Sequence, residues 1–328
     1  MEQVWGSAVV WVGLALLASL ISWKAGLSVA LIELIVGIAA GNTIHPEVTD
    51  WVSFLASLGA VVLTFLAGAE LESAVIRRFW KQSLGLGLVS FAACFVTDLG
   101  TVIALGLLFT SFGPGFWLFL GATVRAVVIL PKVVPPILRT LNVHSSEPEV
   151  RLVVLVLAVM AYLAVRGGSE GVLPAYLVGM VLADTFLANR ELVRRLRATT
   201  FALLTPFYFL KAGSLVSLPA VLGSLGTVAL FFLAKTGAKF VGLLPTGAAF
   251  GLGRRVNVYT TLLMSTGLTF GTISALYGLN HGIITQDQYS VLVVVIILTA
   301  IVPTMIAQAF FRPGQHDHDP LSVTKGGR

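Results

Sequence analysis

Long apolar stretches constrain the fold of this chain more than any other feature. Eleven of them alternate with short polar loops, and many approach the roughly 20 apolar residues that a helix needs to cross a bilayer. They span residues 4–22, 27–41, 51–72, 83–112, 115–138, 151–166, 171–188, 198–216, 218–247, 256–279 and 287–311. Charged residues form 11% of the chain, against roughly 25% in soluble domains. The pattern predicts an all-α polytopic membrane protein with about 11 transmembrane helices.

The loop charges predict an orientation. Fifteen Lys and Arg residues fall in loops on the side that holds the first loop, whereas the opposite loops carry Arg166. The positive-inside rule places the richer side in the cytoplasm, with the N-terminus outside and the C-terminus cytoplasmic. The net charge of +6 is therefore assigned to loops, and no nucleic-acid partner is predicted. We expect a transmembrane domain over 1–311 and a short disordered tail over 312–328.

A single acid near the middle of an apolar stretch is the first candidate for ion binding. Asp98 has about fifteen residues of its stretch before it and fourteen after it. Thr97 precedes it, and Thr101 lies three residues on, along the same helix face. An ionisable group at this depth costs roughly 2.5–3.5 kcal/mol and is a functional candidate by default. Asp98 is predicted to bind a cation or a proton, and the alternative is a structural acid paired with a lysine.

Basic and acidic residues in other stretches are weaker candidates. Lys235 and Lys239 are four residues apart and share a helix face. Because a lysine at mid-membrane needs a partner, Lys239 is predicted to have a structural or a coupling role at the ion site. Lys235 has the alternative of extending to a membrane interface. Lys211 is expected to reach an interface, and Glu33 is expected near a span end, facing water.

A run of hydroxyl residues and glycines in the tenth stretch predicts a broken helix. The run contains Ser265, Thr266, Thr269, Thr272 and Ser274, with Gly267 and Gly271 among them. Glycines weaken a helix and hydroxyls satisfy freed carbonyls, so this stretch is predicted to unwind at mid-membrane and offer carbonyls to a cation. The alternative is close helix packing by small residues.

Signatures of soluble enzymes are missing from the sequence. It contains no HExxH, GxSxG, P-loop or Rossmann glycine pattern. Its single cysteine, Cys94, excludes an internal disulfide and a cysteine metal cluster. We therefore predict that the protein is not an enzyme and needs no cofactor.

Several phrases, in order along most of the chain, resemble the monovalent cation:proton antiporters. The phrases are FLASLGAVVLTFLAGAELE, AACFVTDLGTV, LPAYLVGMVLAD, LLTPFYFLKAGSLVSL, LAKTGAKFVG and LLMSTGLTFGTISALYGL. They are most similar to the second antiporter family, the sodium/hydrogen exchanger and Kef-type membrane domain. The resemblance implies two inverted repeats, a dimerisation panel and a mobile core. It also implies a homodimer in a plasma membrane of the bacterial inner type.

The resemblance also implies residue roles. Asp98 matches the ion-binding aspartate, and Thr97 matches the preceding residue, which is Asp or Asn in much of the family. Lys239 matches the core lysine of a KxxG pattern. Thr269 to Ile273 match the break of the second crossing helix. The implied function is exchange of Na⁺ or K⁺ for H⁺ by alternating access.

Two departures from the family pattern bear on this function. Thr97 is not acidic, and a single carboxylate favours electroneutral exchange. The stretch from Ser83 to Phe112 would be about 45 Å long as one helix, against a bilayer core of about 30 Å. It resembles the fourth helix fused to the Asp98 helix, so about two helices, including the first crossing helix, are predicted to be missing. The alternative function is therefore an inactive, non-transporting antiporter remnant or a structural membrane protein.

Overall fold

The structure, a computed structural model, describes residues 2–70, 114–141, 148–167 and 169–312, and every regular element in them is helical. The helices are α1 Glu2–Ala25, α2 Val29–Thr43, α3 Asp50–Ala69, α4 Pro114–Leu141, α5 Pro148–Arg166, α6 Val172–Ala188, α7 Arg190–Thr199, α8 Thr205–Ser214, α9 Leu218–Gly223, α10 Leu225–Ala249, α11 Arg254–Leu263, α12 Leu268–Asn280 and α13 Gln286–Ile306. Two π-helical turns, Thr200–Leu204 and Ala307–Phe311, complete the set. The predicted stretch 83–112 and most of the predicted tail lie outside the described residues.

Ten of the eleven predicted stretches form helices in the described residues, which confirms the all-helical membrane prediction there. Seven described helices are long and apolar enough to cross a membrane, and α2 and α6 are shorter apolar helices. The Arg254–Asn280 span counts as one of the seven although it is broken in the middle. The helices divide into two compact units, the first comprising α1 to α8 and the second α9 to α13.

Backbone-to-backbone contacts through glycines hold the first unit together. Gly68 of α3 and Gly179 of α6 each lie where an added Cβ would overlap a carbonyl oxygen of the other helix. The same is true of Gly37 in α2 and Gly213 in α8. Such close approach maximises dispersion contacts, which drive helix association in lipid. Buried apolar side chains around Phe65 on α3, α5, α6 and α7 complete this core.

One long helical run in the first unit changes character along its length. It begins with α7, whose Leu192 and Leu196 are buried while its arginines are exposed. Asn189 caps its N-terminus, with its side chain accepting a hydrogen bond from the Leu192 N–H. The π turn over Thr200–Leu204 follows, with the Thr205 N–H bonded to the Thr200 carbonyl five residues back. Helix α8 continues the run as a largely buried apolar segment.

Two residues of the first unit differ from their sequence expectations. Glu33 is fully buried in α2, and it does not face water. The glycines of α2 and α8 turn this face of α2 toward α8, which the apolar pattern of α2 alone does not reveal. Lys211 is partly buried, and its Nζ donates a 3.1 Å hydrogen bond to the Ser53 hydroxyl on α3. The sequence analysis did not predict this bond between helices, and the expected reach of Lys211 to an interface stays a prediction.

The second unit contains the predicted broken helix. Helix α11 ends at Leu263 and α12 begins at Leu268, so Met264 to Gly267 are not helical. At the break, the Ser265 N–H donates to the Leu262 carbonyl, three residues back. In an uninterrupted α-helix it would donate to the Thr261 carbonyl, four residues back. The Ser265 hydroxyl donates to the buried Thr261 carbonyl at 2.9 Å in its place. The hydroxyl therefore satisfies a carbonyl that the break has deprived of its usual N–H.

The glycine contact between α3 and α6 is tested by Gly179→Ala. The added methyl would overlap the Phe65 carbonyl and push the helices apart, so we expect a loss of about 1–3 kcal/mol of stability. Gly121→Ala in α4 is the matched control, because no atom lies within 4 Å of its added Cβ. Thermal unfolding of the purified protein in detergent measures both variants. Equal unfolding temperatures for the two would contradict the contact.

The role of the Ser265 hydroxyl at the break is tested by Ser265→Ala. This variant leaves the Thr261 carbonyl unsatisfied, and we expect a loss of about 1–3 kcal/mol. Ser274→Ala is the control, because the Ser274 hydroxyl makes the same kind of 2.9 Å bond, to the Phe270 carbonyl, inside the intact helix α12. The control should lose much less stability in the same unfolding measurement. A larger loss in the control would show that the break does not depend on Ser265.

Candidate functional site

The break between α11 and α12 leaves backbone oxygens without helical partners. Within the described residues, the carbonyls of Met264, Ser265 and Thr266 accept no backbone N–H, whereas the Gly267 carbonyl accepts the Gly271 N–H as α12 begins. Unpaired carbonyls are costly in a bilayer unless they line a cavity or meet a ligand. Three such oxygens in four consecutive residues are candidate neutral ligands, since backbone carbonyls of this kind bind monovalent cations in membrane proteins.

The hydroxyl of Thr261 adds a polar atom that the sequence analysis missed. Thr261 is 1% exposed, and its Oγ1 makes no hydrogen bond in the described structure. It lies one turn before the break, in the last part of α11. Threonine hydroxyls in helices usually bond back to a carbonyl of the preceding turn. Its position four residues before Ser265 was the available signal, since residues at this spacing share a helix face.

The predicted break residues occupy two different environments. Ser265 and Thr266 lie in the break, and the Thr266 hydroxyl donates to the Leu263 carbonyl at 2.8 Å. Thr269, Gly271 and Thr272 lie in the first two turns of α12 instead. The break is thus a few residues earlier than the stretch from Thr269 to Ile273 that the resemblance indicated. Gly267, with φ −154° and ψ 50°, is the residue immediately before α12.

Two of the predicted break residues, Gly271 and Thr272, are buried in α12 and contact their surroundings there. The Thr272 hydroxyl bonds within its own helix, to the Leu268 carbonyl at 2.8 Å and the Thr269 carbonyl at 2.9 Å. Gly271 lies against Ile296 of α13, whose side-chain carbons would be 3.0 Å from an added Cβ. Both alternatives predicted for the hydroxyl run therefore apply: its first part is unwound, and its second part packs closely against a neighbouring helix.

Lys239 is buried in the same unit as the break. It lies in α10 and is 1% exposed, and Lys235, one turn earlier, is 9% exposed. Helix α10 packs against α11 and α13. Asn257 of α11 fixes the first of these contacts, because its side-chain amide donates to the Leu244 carbonyl at 2.8 Å and lies against Gly247. A lysine ammonium and a cluster of neutral oxygens thus belong to one compact unit.

Asp98, Thr97 and Thr101 lie outside the described residues. Their predicted part in the site therefore stays a prediction. In the described residues, no group of three or more His, Cys, Asp or Glu side chains is arranged to hold a metal ion. The oxygens at the break are neutral, which suits a weakly held monovalent cation better than a divalent ion that requires carboxylate ligands.

Outside the spans, the basic helix α7 carries several ion pairs. Arg194 and Arg195 each donate to the Glu191 carboxylate, at 2.9–3.0 Å. The hydrogen bond from Arg194, followed by that from Arg195, lowers the pKa of Glu191 to about 2. Arg197 pairs with Glu70, just after α3. These contacts hold the arginines of α7 on the exposed side of the helix.

Comparison with known families gives a match over most of the chain. The family described as "Sodium/hydrogen exchanger, transmembrane" matches residues 12–129 and 114–312. The two matched stretches overlap at 114–129, in the first half of α4. The predicted loss of about two helices between Ser83 and Phe112 stays a prediction, because those residues lie outside the described structure.

Individual relatives and a solved structure agree with this match. The Na(+)/H(+)-K(+) antiporter GerN of Bacillus cereus is 23% identical over 371 aligned positions, covering 90% of this chain and 93% of the relative. Cation/H(+) antiporter 18 of Arabidopsis thaliana is 22% identical over 244 positions, covering 70% of this chain and 30% of that larger protein.

The solved structure extends the likeness to the fold. The sodium proton antiporter MjNhaP1 of Methanocaldococcus jannaschii superposes with a TM-score of 0.63 at 14% identity, covering 95% of this chain and all of that one. These relatives are membrane transporters and not enzymes, in agreement with the prediction made from the sequence. Because the matched stretches together extend over residues 12–312, the chain belongs to the sodium/hydrogen exchanger family of multi-pass membrane antiporters.

Proposed function

We propose that the protein exchanges a monovalent cation, Na⁺ or K⁺, for H⁺ by alternating access. The observation that carries the proposal is the break at Met264 to Gly267, where three carbonyls without helical partners lie in a membrane-spanning segment. Secondary transporters bind their coupling ions at such discontinuous helices. Family membership supports cation:proton antiport as the overall reaction.

The proposal gives each candidate residue a role. Asp98 binds H⁺ and the cation in alternation, and Thr97 and Thr101, its neighbours in the sequence, contribute hydroxyl oxygens. Carbonyls of the break, with the hydroxyls of Ser265 and Thr266, complete the coordination of the cation. The positive charge of Lys239 stabilises the site while Asp98 is ionised and unloaded, because an opposite charge favours the ionised form of an acid.

Further parts of the proposal concern the transported cation, the assembly and the membrane. The name of the GerN relative joins Na⁺, H⁺ and K⁺, which keeps both cations as candidates here. We expect a homodimer in a plasma membrane of the bacterial inner type. The exposed arginines of α7 support a cytoplasmic location for the loop between α6 and α8, and so a cytoplasmic C-terminus.

The transport reaction is tested by proton flux in proteoliposomes. A pH dye inside the vesicles reports internal pH after Na⁺, K⁺ or Li⁺ is added outside. We expect the internal pH to change with at least one cation in the wild-type protein. Asp98→Asn should abolish the change, because the amide can neither release a proton nor carry the negative charge that attracts the cation.

The matched control for this experiment is Asp287→Asn, at the exposed start of α13. It makes the same chemical change and should leave the flux near the wild-type level. Flux that persists in Asp98→Asn would show that another residue carries the proton. Both variants need to be shown folded and inserted by size-exclusion chromatography of the protein extracted from the vesicles.

The oxygen ligands near the break are tested by Thr261→Val. The substitution keeps the shape of the side chain and removes its unpaired hydroxyl. If the hydroxyl contacts the cation, the half-saturating cation concentration should rise about tenfold, the equivalent of roughly 1.4 kcal/mol. Thr205→Val is the control, because the Thr205 hydroxyl is also buried and without a hydrogen-bond partner but belongs to the first unit. Equal effects of the two variants would exclude a ligand role for Thr261.

A non-transporting antiporter remnant is the second candidate. The observation that favours it is the alignment with the Bacillus cereus relative, whose 371 positions exceed the 328 residues of this chain. The chain therefore lacks internal material that this relative has. An inserted, folded protein that gives no proton flux with any of the three cations would support this function over antiport.

A further inference from the structure

A buried acid in the first unit has no role in the proposed exchange. Glu33 is the fifth residue of α2 and has no exposed surface. Both of its carboxyl oxygens are buried and make no hydrogen bond in the described structure. Among the described residues, Glu33 is the one acid whose two carboxyl oxygens are both buried without a hydrogen bond.

The packing around Glu33 leaves little space for water. Helix α2 packs against α8 and α1. One turn after Glu33, Gly37 lies so close to α8 that an added Cβ would overlap the Leu210 carbonyl. The next turn repeats this contact between Gly41 and Ser214. A carboxyl group on this side of α2 is therefore enclosed as long as the two backbones stay in contact.

Charged and titratable groups on the packed helices do not neutralise Glu33. Helix α8 carries Tyr208 and Lys211, and the ammonium of Lys211 donates to Ser53 of α3. Helix α1 carries Glu2 and Lys24 near its two ends, both exposed. No hydrogen bond joins any of these groups to the Glu33 oxygens in the described structure.

An ionised carboxylate without partners is strongly disfavoured in an apolar interior, and a neutral carboxylic acid is tolerated far better. A bound Na⁺ or K⁺ would need several oxygens in place of its hydration shell. A proton needs one carboxylate oxygen, to which it adds to give the neutral acid. The surroundings of Glu33 thus fit a proton better than a metal cation.

We propose that Glu33 is a proton-binding site of the first unit, distinct from the predicted site at Asp98. It holds its proton while α2 and α8 are packed and releases it when the two helices separate enough to admit water. Binding of this proton does not require that the protein transports ions. The proton binds to the conformation in which α2 and α8 are in contact.

Infrared difference spectroscopy tests the bound proton directly. The spectrum of Glu33→Leu is subtracted from that of the wild type at neutral pH, in lipid nanodiscs. We expect the difference to contain the C=O stretch of a protonated carboxylic acid, and the same band with Glu33→Gln. Glu191→Gln is the control, because Glu191 is exposed and bonded to two arginines, so its difference should contain ionised-carboxylate bands instead. Ionised-carboxylate bands for Glu33→Leu would overturn the proposal.

A stability measurement separates a bound proton from a hidden ion pair. If Glu33 is neutral and unpartnered, Glu33→Leu should unfold at or above the wild-type temperature, and the effects of Glu33→Leu and Lys211→Met should be additive. A large drop in unfolding temperature with strong non-additivity would show an ion pair with Lys211 and overturn the proposal. Neither readout uses ion flux, so failure of the proposed antiport would leave both results interpretable.

Discussion

The lack of water in the bilayer core governs this structure. A backbone group that leaves its helix there has to find a side chain, a ligand or a cavity. The described helices meet this requirement over nearly all of their length, and the break between α11 and α12 is where the pattern fails. There, the Ser265 hydroxyl satisfies one carbonyl, and three neighbouring carbonyls have no helical partner. The candidate ion site consists of the carbonyls that remain without a helical partner.

The two units solve their packing problem differently. The first unit brings helices into backbone contact through glycines such as Gly37 and Gly179, which leaves a tight and largely apolar interior. The second unit buries polar groups, including Lys239 and the hydroxyls near the break. The first unit also encloses acids, since Glu33 of α2 and Glu149 of α5 are both buried.

The sequence predicted the helices well because membrane spans depend on hydropathy and length, which a single chain displays directly. It also predicted that the tenth stretch would break. It could not fix the point of the break, because several glycines and hydroxyls in that stretch permit unwinding, and the structure has α11 end at Leu263 and α12 begin at Leu268. The burial of Glu33 was missed for a related reason. Which side of α2 meets α8 depends on glycines in both helices, and neither helix alone shows the match. The part of the site at Asp98 rests on the sequence and the family resemblance.

The π turn between α7 and α8 has a consequence for how its two ends are oriented. A π turn accommodates one residue more than an α-helical turn, so it offsets the faces of the helix on either side by about 100°. The basic residues of α7 and the buried face of α8 are therefore held at angles that an uninterrupted α-helix of the same sequence would not give. The direction in which the arginines point thus depends on the one additional residue that the π turn contains. An insertion or deletion within Thr200–Leu204 would rotate the charged segment around the helix axis while leaving its composition and its amphipathic pattern unchanged.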